Sequence, residues 1–273
     1  MTRRCSDLIQ HDVCSLSLVK EHYDFPQSAE LVAELDAVAR HHGSREQAFD
    51  DLLTLAVCAL AGQSREEEYL KTVKPYVAGE PGKRPIDRLV EVFGRIVVIM
   101  KDLRTDILGD IFQGAITRGQ NQQFFTPSPI CELMARLTDE AQADNGNDGE
   151  RESVCDPSCG SGRILLAAAT VNRNRYFVGQ DIDHRCAKIT AINLALWNLY
   201  GKVIWGNTLT DECRRVYHTG FNGTGFIHIE EVVKPEPEPE PMASPPAPVK
   251  ITFDLTAPVP KSHQPTLFDD RPS

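Results

Sequence analysis

The stretch Val154 to Ala169, VCDPSCGSGRILLAAA, decides the fold. VCDP is a short apolar run ending in an acid, CGSG supplies two glycines, and RILLAAA has the composition of a helix. Strand, glycine loop and helix in that order make a cradle for a nucleotide-like ligand. Gly160 and Gly162 let the backbone approach the ligand and let the helix start tightly against the strand. Asp156 ends the strand, where a carboxylate can accept hydrogen bonds from a ligand or from loop amides. No GK[ST] follows the loop, so it is not a nucleoside-triphosphate loop, and the spacing is not the full dinucleotide fingerprint either.

The pattern repeats downstream. RYFVGQD reads as a second strand ending in Asp181, Asp183 caps a helix bearing Ile189, Ile192, Leu196 and Leu199, and KVIW is a third strand followed by GNTL. Alternation of this kind predicts a parallel α/β sheet over about 152–206. An acid at Asp181 faces the crevice of such a sheet and can accept both hydroxyls of a ribose, with Ile182 covering an adenine face. The bland alternative makes Asp181 a helix-capping residue.

Upstream, residues from about 28 to 118 read as helices. Ser28 is expected to cap the first, with Leu31, Leu35 and Val38 on one face and Gly43 at its end. Ser44 with Gln47, and again Ser64 with Glu67, have the capping-box pattern. Pro85 suits a first helical position, followed by a stripe of Ile86, Leu89, Val90, Phe93, Val97 and Met100. Ile107, Leu108, Ile111, Phe112 and Ala115 form another stripe. Ser128 and Pro129 start a helix carrying Leu133, Met134 and Leu137. Packing within a helical unit accounts for the stripes over 28–118. Beyond Asn207, Asn222-Gly223 between two alternating runs signals a hairpin. KPEPEPEPMASPPAP then reads as an extended spacer, with a short strand expected at Ile251 to Leu255. The expected division is a helical unit over 1–118, an α/β unit over 119–233, and a spacer and tail over 234–273.

A net charge of −10 argues against a surface that grips many phosphates, so any DNA contact is expected to be local, weak or supplied by a partner. The eight cysteines contain no CxxC pair, which disfavours both a zinc site and a disulfide framework. With no export signal or membrane-length apolar run, reduced thiols in the cytoplasm are expected.

Four motifs in order, from Asp106 to Leu209, resemble the γ-type N6-adenine DNA methyltransferases, above all the modification subunits of type I restriction systems. DILGDIF resembles the family's last helix before the core, QNQQFFTP its GQFFTP motif, DPSCGSGRILLAA its DPxCGSGGFL loop, and YFVGQDID its ribose-binding strand. The resemblance implies a partial Rossmann-like class I methyltransferase sheet preceded by the helical N-terminal domain. It also implies S-adenosylmethionine as cofactor. Phe125, Thr126 and Pro127 would shape its methionine end, Asp156, Gly160, Ser161 and Gly162 its loop, and Asp181 its ribose site. Asn207, often Asp in the family, would meet the adenine amine. Arg163 stands where the family usually has Gly and is expected to crowd the loop.

N6-adenine transfer also needs a polar-Pro-Pro-aromatic tetrapeptide that accepts the amine protons and stacks on a flipped base. The adjacent prolines here, Pro245-Pro246 in SPPA, lack the aromatic and fall in the spacer. No catalytic residue is therefore assigned. The expected roles are a methyltransferase that needs a partner subunit, a non-catalytic cofactor-binding regulator, or a tethered adaptor. The last rests on QPTLF: Gln264, Leu267 and Phe268 resemble the peptide by which bacterial proteins dock on the sliding clamp. The sheet itself leaves the first strand exposed on one side. Either the Asn222 hairpin or a partner is expected to cover it.

Overall fold

The computed structural model describes residues 21–117, 125–142, 152–223 and 225–232. The spacer, the Ile251–Leu255 segment, and Gln264, Leu267 and Phe268 lie outside them.

Five helices come first: α1 (Pro26–Ala39), α2 (Arg45–Ala61), α3 (Glu66–Val73), α4 (Pro85–Leu103) and α5 (Ile107–Ile111), the last running into a π-helical turn, Phe112–Thr117. Ser44 caps α2 by accepting from the Gln47 amide, and Pro85 opens α4 as its composition predicts. Ser28 does not cap α1. The cap position is Phe25, and Ser28 sits buried in the first turn, donating to Asp110 Oδ2 at 2.5 Å. Nor does Ser64 cap α3. It lies in a 3₁₀ turn, Gly62–Arg65, and donates back to the Ala61 carbonyl, so the helix begins at Glu66. On α4 the buried face runs through Ile86, Leu89, Val92, Ile96 and Met100. Val90 is exposed, because the stripe follows the partner helices rather than the simplest apolar count.

Helix α6 (Ser128–Gln142) leads into β1 (Ser153–Asp156), α7 (Arg163–Val171), β2 (Tyr176–Asp181), α8 (His184–Leu196), β3 (Gly201–Trp205), β4 (Arg215–Thr219) and β5 (Ile227–Glu231). The sheet order is β1-β2-β3-β4-β5. The first three strands are parallel, and β4 and β5 are antiparallel additions. This is half of a Rossmann-like α/β sheet, closed on one side by a hairpin. Residues 220–226 connect the hairpin's strands. Asn222 holds this connection by accepting from the Gly225 amide, and the Phe226 amide reaches back to the Leu60 carbonyl. The turn is thus longer than a two-residue Asn-Gly connection. The hairpin also does not cover β1. It pairs with β3 at the far edge, because β4 follows β3 directly and folds back on it, and among the described residues no strand pairs with the outer edge of β1.

Helices α7 and α8 lie on one face of the sheet. Phe177, Val203, Tyr217, Ile227 and Ile229 point that way and are buried, and the N-terminal helices continue the same core through the contact of α2 with α8. The opposite face carries Cys155, Val178, Gln180, Lys202, Ile204 and His228, which are half-buried or exposed. Parallel strands are usually covered on both faces, so this face is unusual. Helix α6 packs chiefly on α7, and its apolar residues Ile130, Leu133, Met134 and Leu137 are exposed while Cys131 and Ala135 are buried. The stripe of Leu133, Met134 and Leu137 thus points outward. No helix among the described residues is long and apolar enough to cross a membrane.

Candidate functional site

Three loops meet at the carboxyl ends of β1, β2 and β3. The Cys159 amide donates to the Gln180 carbonyl, the Gly206 amide to the Asp181 carbonyl, and Thr208 Oγ1 to the Pro157 carbonyl at 2.6 Å. These bonds tie the loop after β1 to both neighbours, so Asp156, Asp181 and Asn207 stand at adjoining strand ends.

The glycine loop has φ of +55° at Gly160 and +84° at Gly162, a region costly for other residues. A Cβ at Gly160 would lie 2.7 Å from the Phe125 ring, and one at Gly162 would lie 2.9 Å from the Thr190 methyl. Both glycines are therefore required twice, by backbone and by space. Thr190 Oγ1 also donates to the Gly160 carbonyl at 2.8 Å, which fixes the loop against α8.

Asp181 accepts from the Gly160 amide through one oxygen and from the Asp183 amide through the other, both at 2.8 Å. Its carboxylate thus shapes the loop. Each oxygen keeps a further lone pair for a ligand hydroxyl. Asp156 accepts from the Ser158 amide at 3.1 Å. Burial raises both carboxyls above the usual range, and the loop amides oppose that rise. Asn207 accepts from the Leu209 amide and so caps the 3₁₀ turn Thr208–Thr210. Ile182 and Leu209 are 59% and 96% exposed, two large apolar side chains standing bare on the loops after β2 and β3. Aliphatic groups placed there suit the two faces of a flat ring.

A cavity of about 60 Å³ lies over the loop, lined by Phe125, Thr126, Asp156, Ser158, Gly160, Ser161 and Arg163 among others. It has room for a small polar group rather than a whole nucleoside. Pro127 is exposed, and its carbonyl receives the amides of Ile130 and Cys131 at the start of α6. The residues singled out from sequence for the methionine end, the loop and the ribose therefore occupy one region. Gln264, Leu267 and Phe268 are outside the described residues.

Sequence reading gave no role to the hub beneath the loop. Asp106 is 5% exposed and accepts from the Gly109 amide, Ser161 Oγ, Arg163 Nε and Asn193 Nδ2. The last also donates to the Ser161 carbonyl. Gly109 has to be glycine here, since a Cβ would lie 1.9 Å from Asp106 Oδ2. Arg163 does not crowd the loop. Its side chain turns toward Asp106 and lies over the Phe125 ring, 5.6 Å from its centroid. The signal was available: an acid opens DILGDIF and an Arg opens the helix after the loop, but nothing in their spacing says that they meet.

Residues 103–222 match the N-6 DNA Methylase family. Over these residues the chain is similar to that family. The methylase subunit of the type I restriction enzyme MpnII of Mycoplasma pneumoniae is 31% identical over 136 residues, covering 44% of this chain and 24% of that protein. The MjaVIII methylase subunit of Methanocaldococcus jannaschii is 24% identical over 171 residues, covering 59% and 28%. The chain thus spans about a quarter of the length of these curated relatives. A solved type I restriction-modification methyltransferase subunit from Streptococcus thermophilus aligns with 68% of the chain and 59% of its own, at 15% identity and a TM-score of 0.35. Strand order and loop geometry, not that alignment, establish the fold.

Proposed function

We propose that the chain binds S-adenosylmethionine at the carboxyl ends of β1–β3 and belongs to a DNA adenine-N6 methylation system, without completing the methyl transfer alone. The observation that carries this reading is the loop itself. Two obligate glycines, an acid behind them and two exposed aliphatic side chains on the neighbouring loops support a ligand that is a nucleoside with an amino-acid arm. Asp156 and the loop amides would orient the amino-acid end, Asp181 the ribose, and Ile182 and Leu209 the adenine. Bound there, the cofactor supplies an electrophilic methyl group.

Transfer to adenine also needs groups that accept the amine protons and hold the base. Among the described residues no polar-Pro-Pro-aromatic tetrapeptide follows a strand. The outer edge of β1, the apolar side of α6 and the open sheet face support a partner polypeptide that adds strand and helix there and brings the DNA. A chain with net charge −10 gains little from phosphates by itself. The tail peptide Gln264–Phe268 is proposed as a tether to a sliding clamp, and Leu267→Ala with Phe268→Ala should abolish clamp binding.

Melting with and without S-adenosylhomocysteine tests the cofactor reading. At a ligand concentration of about 100 Kd the midpoint should rise by the equivalent of about 2.7 kcal/mol. No shift at millimolar ligand would refute it. Labelled methyl transfer to unmodified DNA should be absent with the chain alone; transfer by the purified chain would refute the need for a partner.

A further inference from the structure

We infer that Arg163 receives the carboxylate of the ligand's amino-acid arm, a deepening of the cofactor reading that rests on it. Arg163 is the first residue of α7, is 7% exposed, and lines the cavity above the glycine loop. Its Nε donates to Asp106 at 2.9 Å. Nη1 is 3.8 Å from Asp24 Oδ2, beyond hydrogen-bond reach. The Nη groups make no hydrogen bond among the described residues. The Nη donors, with only the half-exposed Asp24 at ion-pair distance, are free to take a further acceptor.

Asp106 is not that acceptor in full. Its two oxygens are shared among Gly109, Ser161, Arg163 and Asn193, so its charge is divided over four donors. It holds Arg163 through Nε and leaves the Nη groups without a hydrogen bond, in a residue that borders the cavity. The Phe125 ring, against Gly160, has the guanidinium over it at 5.6 Å from its centroid. The cavity lining then presents one cation, Arg163, and one carboxylate, Asp156. An α-amino acid carries the complementary pair, a carboxylate and an ammonium. A planar fork is the donor that matches a carboxylate with two parallel bonds. The first turn of α7 adds amides of the right sign. The arginine that sequence reading expected to obstruct the loop thus sets its preference for a ligand with a free carboxylate.

Titration calorimetry on the full chain tests this with two ligands, S-adenosylhomocysteine and its decarboxylated analogue, against wild type and Arg163→Gln. Wild type should bind the carboxylate-bearing ligand at least tenfold more tightly. Arg163→Gln should lose that margin, weakening the carboxylate-bearing ligand at least tenfold more than the decarboxylated one. An equal loss for both ligands, or no loss for either, overturns the inference while the cofactor reading stands. Failure of wild type to bind either ligand overturns both. If Arg163→Gln melts before it can be titrated, Arg163→Lys keeps a cation opposite Asp106. It should show the same selective loss, because one ammonium cannot serve Asp106 and the carboxylate with parallel bonds; a retained margin in that variant overturns the inference.

Discussion

At the scale of single residues, the account separates groups that hold the loop from groups that meet a ligand. Asp106→Asn keeps the volume but removes the buried charge beside Arg163, leaving the half-exposed Asp24 at 3.8 Å as its nearest carboxylate. Loss of one partner of a buried pair costs about 3–5 kcal/mol, and urea unfolding should show a loss of that order. A loss below about 1 kcal/mol would mean the hub does not organise the loop. Gly160→Ala places a methyl group against the Phe125 ring in a left-handed conformation, and should cost about 1–3 kcal/mol and most of the ligand affinity. His184 gives a pH signature. Its Nε2 pairs with the Tyr217 hydroxyl at 2.6 Å and its ring stacks on Trp205. Burial, with Lys188 and Arg215 nearby, pushes it down to about 3. A folded value below the unfolded one, about 6.5, means the unfolded chain takes up a proton the folded one refuses. Stability from this group is therefore full above about pH 6.5 and is lost as pH falls toward 3. The slope is at most about 1.4 kcal/mol per pH unit, and less where solvent reaches the ring. Denaturation series between pH 7 and 4.5 should show a shallower decline for His184→Gln; identical slopes would remove His184 as the cause.

At the scale of elements, what sequence disclosed and what it hid have a common cause. The β1-loop-α7-β2 unit was readable because each signal is local: glycines at 160 and 162, an acid at 156, Asp183 capping α8 through the Arg185 amide. Pro85 and Ser44 were readable for the same reason. Ser28 and Ser64 were misread because a serine's partner depends on what comes within reach. For Ser28 that is Asp110, 82 residues away. The hairpin's existence was legible, but its neighbour was not, since pairing with β3 rather than β1 is decided by chain reversal in space. Helix α6 shows the same division. Its periodicity gave a helix, yet Leu133 and Leu137 are 57% exposed. Replacing both with Glu should change stability by less than about 1 kcal/mol, as befits surface positions. A loss of several kcal/mol on thermal or urea unfolding would show that this face is buried in the chain itself.

At the scale of the molecule, the described residues form a half sheet with one partly open face and an unpaired β1 edge, and it carries a well-formed loop at its strand ends. The helical N-terminal part is more than a prefix, since Asp106 and Gly109 belong to it and anchor Ser161 and Arg163 of the loop. Of the site, the first ring of residues could be read from sequence; the support beneath it could not, because Asp106, Ser161 and Asn193 are joined only by folding. Everything proposed about the molecule depends on a nucleoside seated over Gly160 to Gly162. A crystal structure with S-adenosylhomocysteine measures this most directly. The account predicts ligand density over that loop, with the amino-acid arm between Phe125 and Arg163, the ribose at Asp181 and the adenine between Ile182 and Leu209. A fully occupied ligand elsewhere, or an empty loop at saturating concentration, would contradict it.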